Sequence, residues 1–153
     1  MQDHILTWIL AFPLIGMTAI LLTPKQNVGL IKNVSLVFTA IPLVLATWLY
    51  FGIFDRADAD LQCVEQHVWI PLIGPTYKVG VDGLSLALLW LTTLLLFIGV
   101  PASFGIEKSQ KAYYALLLLL EVGILGVFVA LDYFLFYVFW EVMLLPMYFL
   151  IGI

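Results

Sequence analysis

The chain has 153 residues, 64% hydrophobic and 10% charged, with a formal net charge of −4. A soluble domain carries about a quarter charged residues and one of this size has too little interior for so much apolar surface, so lipid must solvate most of it. The acidic balance excludes a nucleic-acid surface, because no basic patch exists to neutralise phosphates; the lone Cys63 excludes an intrachain disulfide and any cysteine-rich metal site.

Five runs almost free of charge, residues 5–22, 34–54, 83–104, 112–131 and 133–153, have the length that crosses a hydrocarbon core as a helix. They predict an all-α integral membrane protein of five transmembrane helices in a single bundle over 1–153. The first run is longer than a signal h-region and lacks a basic start, so it reads as a span and not as a leader. Pro13, Pro42 and Pro101 fall inside runs, where membrane helices tolerate kinks.

Lys25 and Lys32 occupy the first short loop, and Lys108 and Lys111 the third. On the other side Arg56 and Lys78 are diluted by Asp55, Asp58, Asp60, Glu65 and Asp82. The positive-inside rule therefore predicts an outer N-terminus and an inner C-terminus. The unextended N-terminus and uncleaved first span favour a bacterial inner membrane over a mitochondrial one.

The long outer loop, 55–82, alternates in part, with Val64, Val68 and Ile70 set against Gln62 and Gln66. With Pro71, Gly74 and Pro75 as turn residues, it admits a short hairpin lying on the membrane. Cys63 and His67 are four apart, but a metal site needs more ligands, and two ordinary loop residues is the simpler reading. Asp82 and Asp132 directly precede runs and are expected to cap helix N-termini. Ser85, Thr92 and Thr93 in the third run read as packing hydroxyls.

Two charged residues stand apart. Glu121 and Glu141 lie near the middle of the fourth and fifth runs, where a charged side chain costs roughly 2.5–3.5 kcal/mol on insertion scales. Such residues mark ion or proton pathways by default. Both are counted from the break at Asp132, which places them about 16 and 13 Å from the turn and so at similar depth; helix rotation decides whether they face each other. Tyr137 and Tyr148 share the helix face of Glu141, and Pro146 frees the carbonyl of Val142 beside it. Gly123 and Gly126 permit a close neighbour near Glu121. Burial in low dielectric disfavours an ionised carboxyl group and an approaching cation reverses that preference, which is the property a proton relay requires. All six basic residues lie outside the runs, so such a cation must come from elsewhere. The competing reading is that each glutamate hydrogen-bonds across helices and locks packing. No Ser/His/Asp spacing, ligand cluster or phosphate-binding glycine loop supports a hydrolase or metalloenzyme. The last run reaches Ile153 without a polar anchor, which predicts a fragment of a longer polypeptide.

The segment from Phe134 to Gly152 (FLFYVFWEVMLLPMYFLIG), with Trp69 to Ser85 (WIPLIGPTYKVGVDGLS) and Glu121 to Asp132, resembles the chain M (chain 4) subunit family of proton-translocating NADH:quinone oxidoreductase, respiratory complex I. The resemblance covers essentially the whole chain and implies the N-terminal part of an antiporter-like helical bundle. It further implies that Glu141 is the essential carboxylate of a Glu/Lys pair and Glu121 a supporting acid, both in proton translocation. NADH, FMN, iron–sulfur clusters and quinone would bind other subunits, with no cofactor or metal in this chain. Its partners would be other membrane-arm subunits and the lipid bilayer. Family members carry further spans in inverted repeats, which hold the lysines this chain lacks. A multisubunit cation/proton antiporter subunit and a non-transporting membrane scaffold are the alternatives.

Overall fold

A computed structural model describes residues 4–55, 57, 60–68 and 76–152. Among the described residues, five helices are long and apolar enough to cross a membrane: α1 (Ile5–Leu22), α2 (Val28–Trp48), α3 (Gly83–Ala102), α4 (Gln110–Val129) and α5 (Tyr133–Gly152). A π-turn over Leu49–Ile53 continues α2. Strands β1 (Gln62–Val68) and β2 (Thr76–Val81) pair antiparallel between α2 and α3. The turn residues Pro71, Gly74 and Pro75, like Arg56 and Asp58, lie outside the described residues.

α2 begins six residues before its apolar run. Asn27 supplies the start by accepting from the Leu30 amide, and the helix thereby takes in Lys32. The lysine is tolerated because its stem snorkels to the helix end. There its Nζ donates to the Phe104 carbonyl at 3.0 Å and lies 5.3 Å over the Phe104 ring. Asp82 and Asp132 cap α3 and α5: Oδ1 of Asp82 accepts from the Ser85 amide at 2.8 Å, and Oδ1 of Asp132 from the Phe134 amide at 2.8 Å. The hydroxyls of Thr92 and Thr93 donate back to carbonyls of their own helix.

α4 is the central helix, packed on α1, α2, α3 and α5. Two apolar clusters flank its midpoint. One, toward the hairpin end, gathers Ile9, Leu45, Leu89 and Leu125; the other, toward the lysine-bearing loops, gathers Ile20, Ile31, Val100 and Leu118. Between them the buried polar side chains Ser35, Thr39, Thr93 and Glu121 form a layer at mid-bundle.

The hairpin is docked at both edges. A register shift between Gln62 and Glu65 inserts one extra residue into β1. Cys63 takes a positive φ of 56° there. Because strand side chains alternate, one extra residue exchanges the faces of everything beyond it. Glu65 therefore pairs with Val79 on the inward face and is buried, whereas Val64 is turned out and 45% exposed. On the other edge the Leu131 amide donates to the Lys78 carbonyl at 2.9 Å, and Val79 bridges Ala130.

Candidate functional site: carboxylates within the helices

The α4–α5 seam is built from glycines. A Cβ on Gly123 would lie 2.7 Å from the backbone of Met143, and one on Gly126 would overlap the Phe139 ring. The two pairings fix the antiparallel register. They set Glu121 level with Leu144 and Leu145, so Glu141 sits about one turn, roughly 5 Å, nearer the Asp132 turn.

The same pairings settle rotation. Residues two apart on a helix differ by about 200°. Gly123 faces α5, so Glu121 faces away from it into the bundle; Met143 and Phe139 face α4, so Glu141 faces away from α4. Exposure agrees: Glu121 is 0% exposed, and Glu141 is exposed on a helix whose only buried residues are Leu135 and Pro146.

Neither carboxylate oxygen of Glu121 has a hydrogen-bond partner among the described residues. The nearest turns of its own helix offer Leu117, Leu118 and Leu125. The polar layer supplies hydroxyls at its level, but Ser35 and Thr39 donate to carbonyls of α2 and Thr93 to the Trp90 carbonyl. Their oxygens retain lone pairs that can accept a proton-bearing partner. At Glu141, Tyr137 stands one turn earlier on the same helix face and is 60% exposed. Tyr148 is 75% exposed, and no described hydrogen bond joins it to Glu141. No lysine or arginine forms an ion pair with either glutamate among the described residues.

Sequence reasoning missed Glu65. Its carboxylate accepts from the Thr7 hydroxyl at 2.7 Å and the Thr7 amide at 3.1 Å, and lies 3.2 Å from His4 Nδ1. Alternation hid it, since only the bulge turns it inward. Cys63 is half-buried on β1, the His67 side chain lies outside the described ones, and no group of metal-ligating side chains assembles among the described residues.

The fold and the two intrahelical glutamates define a polytopic membrane bundle with carboxylates inside its spans. Over 97% of its length the chain is 36% identical to NAD(P)H-quinone oxidoreductase chain 4 1 of Synechococcus elongatus, and over 80% it is 41% identical to NADH-quinone oxidoreductase subunit M of Rhodobacter capsulatus. It is thus a homologue of these chain 4/subunit M proteins, spanning 28% of the first and 23% of the second. No protein-family model matches. Among solved structures, a chain of the membrane-bound sulfane sulfur reductase, an archaeal respiratory membrane complex, superposes with a TM-score of 0.74 at 22% identity, covering 90% of this chain and 21% of that one. That likeness concerns the fold.

Proposed function

We propose that this chain forms part of a membrane-arm subunit of a proton-translocating NADH:quinone oxidoreductase, in which Glu141 and Glu121 carry protons. The observation that carries the reading is Glu121, sealed inside the bundle with both oxygens unpartnered. A carboxyl group there is a stability liability, and intramembrane acids of this kind belong to ion and proton pathways. The chain 4/subunit M homology supplies the respiratory context.

Glu141 lies on the face of α5 that the other four helices leave uncovered. Left against lipid, a charge at that depth costs roughly 2.5–3.5 kcal/mol. Further protein covers it in this reading: helices of the same subunit or a neighbouring membrane-arm subunit, bringing the cation that switches its protonation. NADH, FMN, iron–sulfur and quinone chemistry belongs to other subunits, and the home membrane is the bacterial inner membrane.

The test is Glu141→Gln in the full-length subunit, with the complex reconstituted in vesicles and NADH-driven proton uptake measured. The expected result is an assembled complex that no longer pumps. Wild-type pumping would remove the proposal. Intact pumping per complex with reduced assembly would establish the scaffold reading.

A further inference from the structure

We infer that water reaches Glu141 from the hairpin side of the membrane, through a narrow hydrated passage that Tyr133 and Tyr137 line on α5. As a proton route the passage rests on the reading of Glu141 as a proton carrier, and it adds the side of the membrane that serves it.

Four side chains of α5 carry a hydroxyl or a carboxyl group: Tyr133, Tyr137, Glu141 and Tyr148. At about 100° per residue all four fall within an arc of about 80°. The buried Leu135 and Pro146 lie on the opposite side of the helix, as do Phe139 and Met143, which meet the glycines of α4. Tyr133 is 95% exposed, Tyr137 60% and Tyr148 75%, and Glu141 is exposed between them. The free face of a helix that met only hydrocarbon would be apolar along its length; this one gathers every hydroxyl and the carboxyl.

Tyr133 and Tyr148 have an ordinary alternative, because tyrosines near the two ends of a span sit at headgroup level. Tyr137 and Glu141 do not, since they lie about 6 and 12 Å beyond Tyr133 along the helix axis. An ionisable group at that depth faces protein or a water-filled cavity.

Spacing decides which end of α5 serves Glu141. One water bridges two oxygens about 5–6 Å apart, by two hydrogen bonds end to end. Tyr133, Tyr137 and Glu141 follow one another in steps of about 6 Å, so one water per step joins them. Toward the other end, Tyr148 lies about 10.5 Å from Glu141. Leu144 and Leu145, 39% and 55% exposed, occupy that interval with apolar surface. A file of water is thus supported on the hairpin side and interrupted on the other. At its mouth, beside the α4–α5 turn, an open cavity of about 360 Å³ is lined by Asp132, Tyr133 and Phe136 with Ala130 and Leu131. The passage does not extend to Glu121, which faces the bundle beyond the Gly123–Met143 contact.

The test is cysteine labelling with a charged, membrane-impermeant thiol reagent. It uses the full-length subunit in its assembled complex, in sealed vesicles, with Cys63→Ser and any other reactive cysteines replaced. Val64→Cys on the hairpin and Lys108→Cys in the α3–α4 turn define the two sides. Tyr137→Cys and Glu141→Cys are expected to react from the side that labels Val64→Cys and not from the other. Reaction of Glu141→Cys only from the Lys108→Cys side, or no reaction of Tyr137→Cys from either side, overturns the passage. Should Glu141→Cys fail to assemble, Tyr137→Cys decides with the carboxyl group in place. Labelling is independent of pumping, so the two failures separate. An open passage beside a Glu141→Gln variant that pumps normally would end the proton role and keep the passage. A closed one beside a Glu141→Gln variant that does not pump would end the passage alone.

Discussion

Glu121 and Glu141 point away from each other, on opposite sides of the seam where Gly123 meets Met143. The intervening backbones exclude a shared hydrogen bond between the two carboxyls. Protons passing from one to the other must travel around α5, over water or groups from another segment.

The unpartnered oxygens of Glu121 predict a trade between stability and function. Glu121→Leu replaces two unsatisfied buried acceptors by an apolar group of similar volume, and should stabilise the bundle by about 1–3 kcal/mol. In the proposed reading the same variant of the full-length subunit pumps poorly. Thermal unfolding in detergent is the check, and an unchanged Tm would show that the carboxyl is already satisfied by water or another group.

Gly123 has no room for a side chain. Gly123→Leu would drive a branched group into the Met143 backbone, part α5 from α4 and destabilise the protein by about 1–3 kcal/mol or more. Gly29, with open space around its Cβ position, should accept Ala without such loss. Comparing the two by thermal unfolding tests the seam directly; equal tolerance would contradict it.

Asp82 caps α3, and the Ser85 amide, followed by its hydroxyl, holds the carboxyl below its usual value. Asp82→Ala should cost about 1 kcal/mol. A depressed folded-state value means that the stabilisation is present above the unfolded carboxylate pKa and is lost as pH falls through the folded one. The wild-type minus Asp82→Ala difference should therefore shrink on acidification. A difference constant down to strongly acidic pH would rule the cap out as its source.

The Cys63 thiol is held up first by burial and then by the Glu65 charge. Only the thiolate reacts with maleimides, so alkylation should be slow at pH 8 and gain speed at higher pH than for an ordinary thiol. Glu65→Gln should shift the rate profile to lower pH. Measuring rate against pH in both proteins settles it, since superimposable profiles exclude the electrostatic contribution.

The spans were readable because crossing a bilayer demands apolar length, which composition shows directly. The start of α2 was not, because Lys32 looks like a loop residue until its amine is seen bonded to the Phe104 carbonyl. Glu121 and Glu141 stood out as charges among leucines and aromatics. Their opposed directions were also latent in the sequence, since Gly123 and Gly126 mark the seam and lie half a turn from Glu121. Glu65 was hidden for a physical reason. The one-residue bulge that turns it inward rests on a left-handed Cys63 that no composition signal announces.

The bridge from Val79 to Ala130 and the bond from Leu131 to Lys78 complete the free edge of β2 with backbone from the turn joining α4 to α5. On the ribosome, the hairpin emerges well before that turn. Until α4 and α5 insert, β2 offers an unpaired edge that any passing strand could occupy. Insertion of the last two helices is thus also the step that shields the nascent chain from mispairing, and a stalled fifth helix would leave the hairpin exposed to aggregation and to quality-control proteases.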